Sequence, residues 1–270
     1  LTREAMALIV RHDLPASFVT EDTTRSHPST LDRLFRTAID AGATRLVLCD
    51  TCGHATPDGL ANLLGFTKGV LRALDVEDTV MLDWHGHNDR GHALPLALFA
   101  LEHGVDRAHG CALGIGERVG NTSMDLMLLN LYLLDALDRE THDLSCLVEY
   151  VEKTSEFTGV PIHPAYPLSG RDAFRTATGV HAAAVIKAEA KGQHDLADKV
   201  YSTVPARVFG RRQQIEIGHY SGRSNVVYWL REHGYDASDA LIDNVLQVAK
   251  QGDHTLTEDE VHAVVAEAGV

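Results

Sequence analysis

Two histidines spaced two apart stand directly behind an apolar run in the segment LDWHGHNDRG. Side chains two apart on an extended chain point to the same side, so His85 and His87 can aim both imidazoles at one point. Two converging neutral imidazoles are typical of a metal site, and the amide of Asn88 or Asn121 would add an oxygen ligand. Such nitrogen and oxygen ligands suit Mg²⁺, Mn²⁺, Zn²⁺ or Co²⁺. The alternative is a pair of hydrogen-bonded loop histidines.

Reactive groups also follow the other apolar runs of the first half. Glu21 follows the first run, Thr51 the second, and the segment GIGERVGN at 114–121 the fourth. Parallel strands point their carboxyl ends at one edge of the sheet, where α/β enzymes hold their active sites. This coincidence favours an enzyme. GIGERVGN is not a dinucleotide fingerprint, because its third glycine is one position late. It is either an ordinary turn or a loop whose backbone approaches a ligand and opens a helix at Asn121.

The elements that would position these groups alternate between strand and helix. We predict strands over 14–20, 44–50, 79–85 and 105–113, each followed by a helix. This order indicates an α/β protein with a parallel sheet, either doubly wound or part of a (β/α)₈ barrel. Later residues are mainly helical, with helices predicted over 141–158 and 171–189. We predict a partial barrel over 1–138, a helical subdomain over 139–205 and a second small helical subdomain over 206–270.

Composition excludes several classes of function. The net charge of −14 disfavours nucleic acid as a partner, and no run of apolar residues is long enough for a membrane span. Four cysteines in 270 residues fit a reducing cytosol, so we expect a cytoplasmic protein. Cys49 and Cys52 form a C-x-x-C, which would be a redox pair or half a zinc site. No second pair exists, which favours a buried strand end followed by a loop residue.

The segment HGHNDRGHALPLALFALEHG followed by GIGERVGN resembles the 2-isopropylmalate, homocitrate and citramalate synthases. These are metal-dependent, acyl-CoA-condensing barrels related to hydroxymethylglutaryl-CoA lyase. Four further segments resemble that family in the same order: FVTEDTTRSHPSTL, LVLCDTCGHATPDGL, TATGVHAAAVIKA and IEIGHYSGRSN. The resemblance implies the C-terminal half of a (β/α)₈ TIM barrel, about four βα units, followed by a mainly helical C-terminal appendage.

The same resemblance implies an acyltransferase that condenses acetyl-CoA with a 2-oxo acid in a Claisen-type reaction. Its metal ligands would be His85, His87 and Asn121. Glu21 and Thr51 would order the site and hold the 2-oxo acid. The residues implied near the acyl-CoA are Gly114, Gly116 and Arg118. His181 and Tyr201, from the appendage, would carry acid–base chemistry.

One family feature is absent from the sequence. The family opens with a strand ending in Arg-Asp-Gly, whose Asp is a metal ligand and whose Arg polarises the substrate carbonyl, and this chain has no such motif. We therefore expect a fragment of a longer chain, or a second polypeptide that supplies the other half-barrel. The resemblance also implies a homodimer. Two alternatives stay open: a lyase or aldolase of the same superfamily, and a non-catalytic half-barrel subunit.

Overall fold

The first part of the chain alternates between strands and helices. The computed structural model describes residues 1–138 and 140–268, which divide into two compact units, Leu1–Arg139 and Glu140–Val270. Residues 139 and 270, where predicted domain bounds fall, lie outside the described residues. The elements of the first unit are α1 (Thr2–Val10), β1 (Ser17–Thr20), α2 (Pro28–Asp40), β2 (Arg45–Asp50), α3 (Pro57–Ala73), β3 (Met81–Gly86), α4 (Ala93–Glu102), β4 (Arg107–Ala108) and α5 (Met124–Leu133).

The four strands form one parallel sheet in the order β1-β2-β3-β4. Sequential parallel strands, each followed by a helix, are the arrangement of half a (β/α)₈ barrel, so the predicted α/β class is confirmed. The fourth strand has two residues instead of the predicted 105–113. It ends early because the chain leaves the sheet to pair with residues beyond the next loop, where Cys111 N donates to Thr122 O at 3.1 Å.

One face of the sheet packs against the helices. Leu46, Leu48, Leu82 and Trp84 are buried with apolar residues of α2, α3 and α4 in one core. Because side chains alternate along a strand, the intervening residues of β3 point to the other face. His85 therefore lies on the face away from the helices, at the carboxyl end of β3.

The second unit is mainly helical. Its elements are α6 (Leu147–Thr158), β5 (Arg175–Thr176), α7 (Gly179–Ala190), α8 (His194–Lys199), β6 (Gln214–Ile215), α9 (Arg223–Glu232), α10 (Asp239–Gln251) and α11 (Glu258–Glu267). The helix predicted over 171–189 is wrong in its first turns, because residues 175 and 176 pair with β6. The boundary predicted between residues 205 and 206 stays a prediction. Contacts join its two sides: β5 pairs with β6, and Ala197 shares a core with Ile215.

Among the described residues, no helix is both long enough and apolar enough to cross a membrane.

Candidate active site

The end of β3 brings together the three residues predicted as metal ligands. His85 is the fifth of the six residues of β3 and is half-buried. The centroids of the His85 and His87 imidazole rings lie 5.2 Å apart. His87 follows the strand, and its backbone forms an isolated antiparallel bridge with Asn121. A chain segment 34 positions later is thereby fixed beside the two histidines.

The imidazole of His85 is biased toward its neutral form. Burial lowers the pKa of His85, and the nearby His87 and His109 lower it further because a second positive charge beside them is unfavourable. A neutral imidazole is the form that binds a metal ion, since protonation occupies the lone pair. The environment of His85 is therefore compatible with a ligand role.

The loop 114–121 is tightly folded and depends on its glycines. Gly114 and Gly120 both have positive φ, and a β-carbon on Gly120 would run into the carbonyl of Gly114. The main-chain nitrogen of Asn121 donates to that same carbonyl at 2.7 Å. A β-carbon on Gly116 would run into the Asn121 side chain. Small residues at these positions thus hold Asn121 in place.

The side-chain oxygen of Asn121 is buried without a partner among the described residues. Its Nδ2 donates to Ile115 O at 3.1 Å, which fixes the amide plane, while Oδ1 makes no hydrogen bond. An unpartnered buried carbonyl oxygen is costly in free energy unless a ligand or water completes it. An amide oxygen is a donor that a metal ion accepts, and the backbone of Asn121 lies beside that of His87. The helix predicted to open at Asn121 instead begins at Met124, after the N-cap Ser123.

Arg118 connects this loop to the ends of β2 and β3. Its guanidinium makes two hydrogen bonds to the carboxylate of Asp89, at 2.9 and 3.0 Å, and a third to Thr51 O at 2.7 Å. It also lies 2.6 Å from Nδ1 of His87. The hydrogen bond from Arg118 lowers the pKa of the Asp89 carboxyl. Arg118, predicted to lie near the acyl-CoA, thus contacts the same edge as the predicted metal ligands.

Thr51 and Glu21 lie at the carboxyl ends of their strands. The hydroxyl oxygen of Thr51 accepts from the main-chain nitrogen of Asp22 at 2.8 Å, which leaves the Thr51 hydrogen able to donate. Glu21 directly follows β1 and is exposed. Its charge adds to burial in raising the pKa of the Cys49 thiol to about 11.

The four cysteines include Cys49, which is buried in β2, and Cys52, which lies in the turn after it. All four are free, and the raised pKa of the buried Cys49 keeps its thiol protonated. No group of three or more His, Cys, Asp or Glu side chains in residues 1–138 and 140–268 is placed to hold a metal ion. The candidate set is two imidazoles and one amide oxygen.

His181 and Tyr201 are brought together in the second unit. His181 lies in the first turn of α7, Tyr201 follows α8, and their rings stack with centroids 3.9 Å apart and planes 26° apart. Both side chains are exposed. The sequence singled out each residue only through the family resemblance, and their stacking is a structural finding.

One buried charged group near the site is marked by no sequence motif. The carboxylate of Asp83, with 1% of the residue exposed, receives hydrogen bonds from Arg45, Arg107 and His109. The ring of His109 lies 5.6 Å from that of His85. The signal that could have revealed Asp83 is its position, two residues before His85 and therefore on the same face of β3.

Comparison with known proteins places these residues in a family context. The model of the HMGL-like family matches residues 2–152. A protein of Methanosarcina acetivorans, provisionally named an (R)-citramalate synthase, is 31% identical over 257 residues, covering 92% of this chain and 49% of its own length. A 2-isopropylmalate synthase of Halothermothrix orenii is 29% identical, and the match covers 97% of this chain and 50% of that protein. A homocitrate synthase of Methanopyrus kandleri is 30% identical, and the match covers 88% of this chain and 56% of that protein. The chain spans about half the length of these relatives.

A solved structure of hydroxymethylglutaryl-CoA lyase from Pseudomonas aeruginosa matches with a TM-score of 0.49 and 17% identity, covering 59% of this chain and 54% of that one.

Proposed function

This chain belongs to the HMGL-like family, and we propose that it contributes to a metal-dependent condensation of acetyl-CoA with a 2-oxo acid. The products are a 2-alkylmalate-type acid and free CoA. The names of the relatives, which are synthases for citramalate, 2-isopropylmalate and homocitrate, support this reaction class. The observation that carries the proposal is the meeting of His85, His87 and Asn121 at the carboxyl edge of a parallel sheet.

The residues present fit a divalent ion such as Mg²⁺, Mn²⁺, Zn²⁺ or Co²⁺. The lowered pKa of His85 keeps a nitrogen lone pair available, and the buried Oδ1 of Asn121 lacks a hydrogen-bond partner among the described residues. Imidazole nitrogen and amide oxygen together form a mixed donor set that these ions accept. When bound, the ion supplies Lewis acidity toward the carbonyl of the 2-oxo acid.

The side chains around the ligands would bind and orient the 2-oxo acid. The Thr51 hydroxyl already accepts one hydrogen bond, so its hydrogen is directed to a new acceptor such as a substrate oxygen. Arg118 holds the loop 114–121 against Asp89 and Thr51, which keeps Asn121 in register with His87. We assign Glu21 to ordering the same edge. We assign Gly114 and Gly116 to the acyl-CoA end of the site, where Asn121 and Ser123 pack against their bare α-carbons.

His181 is the proposed general base and Tyr201 its partner in acid–base chemistry. A neutral His181 takes a proton from the methyl group of acetyl-CoA, and the resulting carbanion equivalent forms a bond to the carbonyl carbon of the 2-oxo acid. The carbonyl oxygen takes up a proton, with Tyr201 as the proposed donor, and becomes a hydroxyl, and the proton held by His181 restores the acid. Water then cleaves the thioester, so the carbon–sulfur bond breaks and CoA leaves as its thiol. The stacked geometry of the two rings supports a shared role.

Release of the CoA thiol tests the reaction. We expect metal-dependent thiol release from acetyl-CoA with one member of a panel of 2-oxo acids of increasing side-chain size, when the chain is assayed within the whole protein as its source makes it, with the other half-barrel present. His85→Ala and His181→Ala should each lower the rate at least tenfold, whereas His12→Ala, an exposed histidine beyond α1, should leave it unchanged. Metal binding without thiol release from any 2-oxo acid would refute the synthase assignment.

A further inference from the structure

An open cavity lies beside the helices of the first unit. It encloses about 380 Å³ between α2, α3 and the loops after β1, β2 and β3. That volume is within the range of pockets that bind small molecules. None of its lining residues is among the predicted metal or substrate ligands. The cavity is therefore separate from the site at His85, His87 and Asn121.

The floor of this cavity is apolar. Leu31, Leu63 and Phe66 line it, and all three belong to or pack against the main core of the first unit. Leu31 is buried, while Leu63 and Phe66 are partly buried and present apolar surface to the cavity. Such a surface gains free energy when an apolar ligand displaces water from it. The floor thus favours a ligand with an aliphatic or aromatic part.

The rim of the cavity carries the positive charge of Arg90. Arg90 and His54 line it, and no Asp or Glu is among its described lining residues, although the whole chain carries a net charge of −14. Nη1 of Arg90 donates to the main-chain oxygen of His54 at 3.1 Å, which anchors the guanidinium. Its other N–H groups make no hydrogen bond to a described residue. The carboxylate of Asp50, which lies behind this rim, is buried and accepts from Thr24 and from backbone N–H groups.

We propose that this cavity binds a small monocarboxylate with an apolar tail. The tail would lie on Leu31, Leu63 and Phe66, and the carboxylate would accept hydrogen bonds from the free side of the Arg90 guanidinium. A guanidinium presents parallel donors that match a carboxylate, and such charge-assisted bonds are stronger than neutral ones. The proposal does not depend on the condensation reaction.

Hexanoate and its uncharged analogue hexanamide are suitable probes. Each is titrated against the whole chain, and binding is measured by ligand-observed NMR. We expect hexanoate to bind more tightly than hexanamide. Arg90→Gln should weaken hexanoate binding about tenfold and leave hexanamide binding unchanged, because only the charged contact is lost. Arg72→Gln, at an exposed arginine of α3 that pairs with Glu77 and does not line the cavity, is the matched control and should bind as the wild type does.

A second variant separates this cavity from the candidate active site. His85→Ala should bind hexanoate with unchanged affinity, since His85 points to the other face of the sheet. Loss of hexanoate binding in His85→Ala would overturn the proposal by locating the ligand at the metal site. The proposal would also be overturned if hexanoate and hexanamide bound equally, or if Arg90→Gln did not weaken hexanoate binding, because either result would show that the charge plays no role. Arg90 is exposed, so its replacement leaves the core intact.

Discussion

Nη2 of Arg118 lies 2.6 Å from Nδ1 of His87 and 2.7 Å from the main-chain oxygen of Thr51. A guanidinium has only donors, so Nδ1 of His87 accepts this bond and a neutral His87 carries its proton on Nε2. The tautomer of a predicted metal ligand is therefore set by a residue on the loop 114–121. A metal ion that binds through Nδ1 would replace the Arg118 contact, whereas one that binds through Nε2 would shift the ring proton to Nδ1 and so would also move Arg118.

This relationship is testable by long-range ¹H–¹⁵N correlation of the histidine rings. We expect neutral His87 to carry its proton on Nε2. Arg118→Ala should move the ¹⁵N resonance of Nδ1 toward the position of an imidazole nitrogen whose lone pair accepts no hydrogen bond. Arg90→Ala removes a guanidinium that, among residues 1–138 and 140–268, bonds only the main-chain oxygen of His54, and it should leave the His87 resonances unchanged. A proton on Nδ1 of His87 in the wild type would contradict the described hydrogen bond.

The loop glycines provide a stability test. Gly120→Ala should be destabilising for two reasons: its φ of +94° is unfavourable for alanine, and the new β-carbon collides with the carbonyl of Gly114. Gly91 has a φ of +72°, and no atom lies within 4 Å of the position that its β-carbon would take, so Gly91→Ala isolates the backbone contribution of about 1–2 kcal/mol. Urea unfolding should give a larger loss for Gly120→Ala. Equal losses would show that the loop relaxes freely.

The pH dependence of stability should include a contribution from His254. A hydrogen bond to Asp253, followed by one to Glu260, raises the pKa of His254 above its ordinary value of 6.5. A raised folded-state pKa means that the folded chain holds the proton more tightly, so the stabilisation is complete below pH 6.5 and is lost as the pH rises through the raised value. His254→Gln should therefore lower the melting temperature more at about pH 6 than at about pH 9.

A control variant for His254 removes its first partner. Asp253→Asn should reduce the difference between acidic and alkaline pH, because the largest cause of the raised pKa is then gone. A melting-temperature gap between wild type and His254→Gln that grows toward alkaline pH is the opposite sign and would contradict the described contacts.

The meeting of His85, His87 and Asn121 was predictable from sequence, because parallel strands place their carboxyl ends at one edge and the family motifs mark the loop. The pairing of Arg118 with Asp89 was not. These residues are 29 positions apart, and their contact depends on the backbone path through Gly114 and Gly120, which composition does not reveal.

The errors in the second unit have a related cause. Helical propensity alone favours a continuous helix over 171–189, but residues 175 and 176 satisfy their backbone groups with residues 214 and 215. Local patterns contain no information about a partner 39 positions away. The same limit explains β4: the chain leaves the sheet after it because Cys111 donates to Thr122 and accepts from Met124, both beyond the next loop.

The most direct test of the central claim is a titration of the whole chain with Co²⁺, followed by visible absorption and calorimetry. We predict saturable binding of one ion by the wild type, abolished in His85→Ala and at least tenfold weaker in Asn121→Ala, which removes the unpartnered oxygen. Asn130→Ala is the control: the side chain of Asn130 donates to Leu126 O within its own helix α5, and this variant should bind Co²⁺ as the wild type does. Equal Co²⁺ affinity in the wild type, His85→Ala and Asn121→Ala would contradict a metal site at the end of β3.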